Sequence, residues 1–405
     1  MKILSRIGFI ILIALSLMKT NNVQADIFNF LEQSRSAFEK KGITFESVYT
    51  IDYFANVQGG LQRKDTYLSN LDIMLTVDTE QFGLWENGTF FVYALDNSGG
   101  QKLTGSIVGD LQGIDNIEAP RTTRLYEMWY EHTFLDGALS ILMGFHDYNS
   151  EFDVTEYGGL YLNSSFGISA DISASARPSI FPLVAPAIRI KSILSENVNI
   201  LFAVYDGDAG DPDTSEHFPR SDFDSEGGAF IVSEFDYFFS ANVLPGFIKL
   251  GAWYNTGNFD DVLDINTSGD ALKRDGNVGG YLVIDKMLYQ ELEDQGLGTF
   301  FHFGFNKKNV NEINLYIGGG LNYHGIIPGR NEDDFGIAVA AAIINDDISS
   351  LDARDDHETV IEMTYRFQFN EYIRIQPDLQ YVINPGAVSS VDNALVIGTR
   401  VEMSF

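Results

Sequence analysis

The chain has 405 residues, no cysteine, and 26 basic against 57 acidic residues, a net charge of −31. That charge excludes nucleic acid as a partner, since phosphate binding needs a basic surface, and the missing thiols exclude a disulfide framework or a cysteine nucleophile. No stretch supplies the ~18 uninterrupted apolar residues of a membrane-spanning helix, yet the chain carries 31 Phe and 19 Tyr.

Lys2 and Arg6 open the sequence as a short basic region, and residues 7–18 form an apolar run. Small residues in Val23-Gln24-Ala25 then present a cleavage site, so residues 1–25 are expected to be a signal peptide and Asp26 the mature start. Ile27, Leu31, Ser34 and Phe38 follow at helical spacing, which predicts a short amphipathic helix over residues 26–41.

From residue 42 to the end the apolar residues recur with a period of two. This spacing predicts sixteen strands, at 43–57, 67–80, 88–97, 124–134, 138–148, 183–193, 197–207, 228–239, 246–257, 277–290, 296–307, 312–325, 334–345, 358–370, 372–384 and 394–405. Most approach the ~9–11 residues with which a tilted strand crosses a bilayer.

The links alternate in length. Short ones at 86–88, 135–137, 195–196, 244–246, 293–295 and 370–371 each follow an even-numbered strand. Long ones at 98–123, 149–182, 208–227, 258–276 and 346–357 each follow an odd one; 308–311 and 326–333 blur the pattern. Short periplasmic turns alternating with long outer loops are the signature of an outer-membrane barrel.

Individual strands have two unlike faces. In 358–370, Ile361, Met363, Tyr365, Phe367 and Phe369 alternate with Glu362, Thr364, Arg366 and Gln368. Ionised groups in a sealed core cost several kcal/mol each when unpaired, whereas groups lining water cost little. The inner face is therefore expected to be hydrated, making a pore. Pro377 removes one ladder hydrogen bond from its strand, and a local bulge is expected there. The acidic run from Asp206 to Asp213 reads as a solvated loop, with a Ca²⁺ site as the alternative. The last strand ends on Phe405 and resembles the signal read by the barrel-assembly machinery.

Several stretches, in order, resemble the carbohydrate-selective porins of the OprB family, from about Gly42 to Phe405. They are Tyr53-Phe54-Ala55-Asn56 with Gly59-Gly60, Phe82-Gly83-Leu84-Trp85-Glu86-Asn87-Gly88, and Val108-Gly109-Asp110-Leu111-Gln112. Asn116-Ile117-Glu118-Ala119-Pro120, the run from Leu125 to Glu131, Asn163-Ser164-Ser165-Phe166-Gly167 and Phe181-Pro182 continue the series. Gln376-Pro377-Asp378-Leu379-Gln380-Tyr381 and Asn384-Pro385-Gly386 complete it. The resemblance implies a sixteen-stranded outer-membrane barrel of a Gram-negative bacterium, narrowed by long loops that fold inward. It also implies passive uptake of monosaccharides such as glucose, no enzymatic activity and no cofactor. Such porins often carry a basic residue just after the glycine of the fifth strand, where this chain has Phe145 and then His146.

A filter for sugars needs planar hydrogen-bonding groups for vicinal hydroxyls and aromatic faces for the pyranose ring. Parity turns Glu127, Trp129 and Glu131 inward together, beside Glu118 and with Arg121 and Arg124 at the outer approach. His146, Arg189, Lys191, Lys249 and Trp253 are further candidates for the lumen. The expected partners are small neutral sugars and outer-membrane lipid, with the chain working as a monomer or homotrimer. The competing reading is a general or cation-favouring porin, motivated by the acidic loops.

Overall fold

The computed structural model describes residues 35–99, 102–211, 213, 216–220, 227–239, 244–292, 295–350 and 354–405. The segment expected to be a signal peptide, and residues 26–34 of the expected helix, lie outside them; residues 35–39 are helical.

The strands are β1 (Ile43–Gln58), β2 (Asp65–Asp78), β3 (Gly88–Gly99), β4 (Thr122–Phe134), β5 (Leu139–His146), β6 (Ala185–Ser195), β7 (Val198–Asp206) and β8 (Ala229–Phe238). They continue as β9 (Gly246–Ile265), β10 (Ala271–Gln290), β11 (Gly296–Asn306), β12 (Ile313–His324), β13 (Asp334–Ile344), β14 (His357–Asn370), β15 (Ile373–Ile383) and β16 (Ala394–Ser404). Each pairs antiparallel with its sequence neighbours, and β1 pairs with β16 to close the barrel. All sixteen expected strands are present.

Alternation decides which side chains meet lipid. Ile73, Leu75, Phe90, Met128, Ile188, Ile190, Phe202, Leu250, Ile317, Ile337, Val339, Ile361 and Met363 are exposed on the outer surface. A belt of this extent is what hydrocarbon, not water, would cover. The opposite parity carries Asp52, Glu127, Arg189, Glu234, Asp285, Glu358 and Glu362, all buried inside the cylinder.

Three expectations change. The segment 258–276 is not a long loop: β9 and β10 run on as a hairpin whose tip is residues 266–270. Lys273 pairs with Asp260 at 2.8 Å, and Arg274 with Asp261 and Asp264 at 2.7 and 2.6 Å. Outside the bilayer a strand needs no apolar face, so the fading of apolar alternation did not end it. Pro377 causes no bulge, because Thr364↔Asp378 and Phe367↔Ile375 keep one register across it. The ladder on the β14 side simply skips the missing donor, while Pro377 stays opposite Thr399 on β16.

The third change concerns the inner face, which is hydrated over only part of its circumference. Two inward segments fill the remainder: inner loop A, residues 102–121, and inner loop B, residues 147–184. Leu103, Ile107 and Val108 of loop A, and Leu160, Leu162 and Phe166 of loop B, pack against Ala338, Ala340, Ala342, Val360, Val382 and Val396 in one buried cluster. The wall there carries small apolar residues at inward positions because loop side chains, not water, meet it.

Candidate pore constriction

Loop B is bolted to the wall by carboxylates that accept its backbone N–H groups. Glu362 takes the amides of Leu162 and Asn163 at 2.7 and 3.0 Å. Asp285 takes those of Tyr157 and Glu156 at 2.8 and 3.3 Å, and Glu234 takes that of Asp153 at 3.0 Å. Loop A is held in the same way: Glu358 accepts from Leu111 and Gln112, and also from Gly386 at 2.6 Å. Amides Gln376 and Gln380 donate to the carbonyls of Leu160 and Ile114 at 2.7 and 2.8 Å. Charge-assisted bonds of this kind are the stronger ones, and they satisfy loop backbone that sits away from bulk water.

Two arginines, Arg189 buried and Arg400 largely so, reinforce the attachment. Arg189 donates to Glu131 of β4 at 2.8 Å and to Glu151 of loop B at 2.5 Å. Arg400 of β16 donates to Asp52 of β1 at 2.6 Å, to Asp115 of loop A at 3.1 Å and to Asn116 at 2.7 Å. Burial beside Asp52 holds the Asp115 carboxyl well above the usual carboxylate range.

These contacts hold loops A and B against β8 to β16, which leaves the inner faces of β2 to β4 as a more open part of the wall. There Phe91, Tyr93, Trp129 and Glu131 are half-buried on β3 and β4, and Asp72 on β2. Arg189 and Arg400 have carboxylates beside them and Arg124 a carbonyl, so the lining is polar.

The expected site residues divide accordingly. Glu127, Trp129 and Glu131 do share the inner face of β4, where Glu127 accepts from Trp129 Nε1 at 3.2 Å and from the Asp147 amide at 3.0 Å. Glu118 accepts the Thr104 amide at 3.0 Å and borders a cavity of about 320 Å³ between loops A and B. Arg121 is exposed at the end of loop A. Arg124 is buried and donates to the Pro182 carbonyl at 3.0 Å. His146 is buried against Tyr205, 2.9 Å between Nδ1 and the hydroxyl. Lys249 lies 3.7 Å from Glu234. Lys191 stays half-buried on β6. Trp253 is 2 % exposed and packs on Phe230 beneath loop B, away from the open wall.

Sequence reading missed Phe91, Tyr93 and Asp72 on the wall, and the bolting carboxylates Glu358 and Glu362. Parity had turned Asp72 and Glu362 inward; that Glu358 and Glu362 meet loops A and B depends on contacts two hundred residues apart or more.

Asp171 is fully buried with Asp153 and His302 nearby, and among the described residues neither of its oxygens meets a donor. Burial, then the Asp153 charge, pushes its carboxyl up to about 7. A folded-state value above the unfolded one means stability is fully present below about pH 4 and is lost as pH rises through about 7. Asp171→Asn fixes the uncharged form, so its heat-denaturation midpoint in detergent should exceed the parent's at pH 8 and match it at pH 4. The gain at pH 8 is bounded by about 4 kcal/mol.

The chain has relatives of known kind. The family described as carbohydrate-selective porin, OprB family, matches residues 62–405. Porin B of Pseudomonas aeruginosa is 24% identical over 408 residues, covering 92% of this chain and 89% of that protein. Among solved structures, Pseudomonas putida OprB at high pH superposes with a TM-score of 0.80 at 23% identity, covering 92% of this chain and 96% of that one. The outer-membrane channel DcaP of Acinetobacter baumannii gives 0.55 at 10% identity, covering 90% and 97%. The closed barrel, its lipid belt and a match across most of its length place the chain in the outer membrane of a Gram-negative bacterium as a channel, not an enzyme. It belongs to the OprB family of carbohydrate-selective porins.

Proposed function

We propose that the chain admits small neutral sugars, monosaccharides such as glucose, by diffusion through the gap left between inner loops A and B and the more open wall of β2 to β4. The supporting observation is the pairing of charge along that gap: Arg189 with Glu131 and Glu151, and Arg400 with Asp52 and Asp115. Each arginine faces two carboxylates, so the gap offers hydrogen-bonding edges to hydroxyl groups while disfavouring anions. Glu131 and Glu151 keep 24% and 20% of their side-chain surface open, enough to meet a passing solute. Binding stays weak because each partner is already satisfied, and weak binding lets the solute leave.

Glu118, Arg121, Glu127, Trp129, Glu131, Arg189 and Lys249 are assigned to the path or its immediate support, and Arg124 and His146 to holding loop B in place. The terminal Phe405, whose backbone pairs with Ser47 of β1, is assigned as the contact for the barrel-assembly machinery. The closed cylinder encloses its own passage, which supports a working monomer.

Liposome swelling with solutes of graded size tests this reading. Monosaccharides should enter several-fold faster than disaccharides, and glucose faster than a neutral amide of the same size. Equal rates for glucose and the amide, with strong cation selectivity in planar bilayers, would instead support a general porin driven by the acidic loops.

A further inference from the structure

A cavity of about 320 Å³ lies where loop A meets loop B. Backbone bonds between the two loops fix its walls: the Asn116 amide donates to the Leu162 carbonyl at 2.9 Å, and the Ser164 amide to the Gly113 carbonyl at 2.8 Å. Gly113 holds a φ of 76°, and a Cβ there would stand 2.7 Å from Ser164 Oγ, so glycine lets the loops close this far. Gly105 also lines the cavity, yet a Cβ on it would meet nothing within 4 Å. Any side chain at Gly105 would enter space that is now left open. Asp115 lines the cavity as well and bonds Arg400 of β16 at 3.1 Å, so the space reaches from the loops to the inner wall.

The polar groups around this space are only partly engaged. Glu118 accepts the Thr104 amide at 3.0 Å with one carboxylate oxygen, and the other takes no hydrogen bond among the described residues. The Lys102 ammonium and the Ser164 hydroxyl have no partner among them either. Thr104 Oγ1 accepts the Ile114 amide at 3.2 Å, which leaves its proton to donate. Ala119, Pro120 and Pro182 supply an apolar side. Three donors, one acceptor and a patch of carbon around one small space match a neutral polyhydroxy ring. Its vicinal hydroxyls both give and take hydrogen bonds, and its C–H groups cover the prolines. The volume lies at the lower end of small-molecule sites, about 300–1,000 Å³, which suits one six-membered ring and not two.

We propose that this cavity is an entry subsite that holds one neutral hexose between loops A and B, through Lys102, Thr104, Glu118 and Ser164, before the sugar passes Arg189. This rests on the sugar-porin reading and adds to it a place where the sugar pauses. Both loops start and end at the outer rim, so a sugar held there is concentrated ahead of the narrow stretch. The grip stays weak, because each hydrogen bond to the sugar replaces one to water, and weak binding lets the sugar move on.

The test is a titration of glucose, and separately of maltose, into the purified barrel in a detergent without a sugar headgroup, read by calorimetry or by saturation transfer to the sugar protons. The native protein should bind glucose saturably at a single site and maltose not at all. Gly105→Phe, whose ring fills the cavity, should abolish binding. Gly159→Phe, at another open position of loop B outside the cavity, should bind as the parent does. Lys102→Met with Glu118→Ala should weaken binding about tenfold, the loss of about two hydrogen bonds. Heat-modifiable gel mobility checks that each variant is a closed barrel. A native protein that admits glucose into liposomes ahead of a size-matched amide, yet binds none saturably, would overturn the subsite and leave the sugar porin standing. A folded Gly105→Phe variant that binds as tightly as its parent, or maltose bound as well as glucose, would also overturn it. Glucose entering no faster than the amide would defeat the sugar reading itself.

Discussion

Replacing Glu358 and Glu362 together by leucine should open the channel: single-channel conductance in planar bilayers should rise several-fold, and disaccharides should begin to enter liposomes. Those two side chains of β14 accept five backbone amides, from Leu111, Gln112 and Gly386 at one and Leu162 and Asn163 at the other. Each amide stripped of its acceptor in a dry setting costs about 1–3 kcal/mol. Four of these amides belong to loops A and B, and losing them exceeds what contacts with the small wall residues Ala338, Ala340 and Ala342 can offset, so the loop segments beside β14 swing into solvent where water satisfies them. The barrel itself should persist, because its ladder bonds do not involve these side chains. Glu358→Gln with Glu362→Gln should be much milder, since an amide oxygen still accepts two donors. Unchanged conductance in the leucine pair would mean that loops A and B are held by something other than these bolts.

This result bears on what the sequence could reveal. Strand number, parity and closure were legible because lipid on one side imposes a strict two-residue period, and no tertiary contact competes with it. Glu362 could be turned inward from its neighbours Ile361 and Met363 alone. What it meets could not be read, because Leu162 and Asn163 are two hundred residues away and approach through a loop with no period. The motifs that carried the family resemblance show the same limit. Asp110-Leu111-Gln112, Asn163 and Gln376 to Gln380 were visible as ordered matches, and the structure reveals them as loop-to-wall attachments. The half-apolar inner wall at β13 and β14 also went unseen, since Ala338, Ala340 and Ala342 look permissive until a loop lies on them. Trp129 was found because it sits among charged residues of one strand, whereas its stacking partner Phe91 lies on another.

Arg400→Leu should be the most destabilising single change in the inner wall. Its guanidinium is shared by Asp52 and Asp115, both with no exposed side-chain surface. Removing the cation leaves two buried carboxylates facing one another across the seam where β16 meets β1, the pair Asp52↔Arg400 being in register. Breaking a buried ion pair from one side costs about 3–5 kcal/mol, and the two anions add mutual repulsion to that. The heat-denaturation midpoint, followed by gel mobility in detergent, should fall sharply at pH 8 and recover partly at pH 4, where a carboxyl can take up a proton. Adding Asp115→Asn should restore about half of the loss, and Asp52→Asn with Asp115→Asn nearly all of it, because the cost is uncompensated charge and not lost packing. If the single variant melts like its parent, or the neutralised triple variant stays as weak as the single one, charge at this seam does not hold loop A to the barrel.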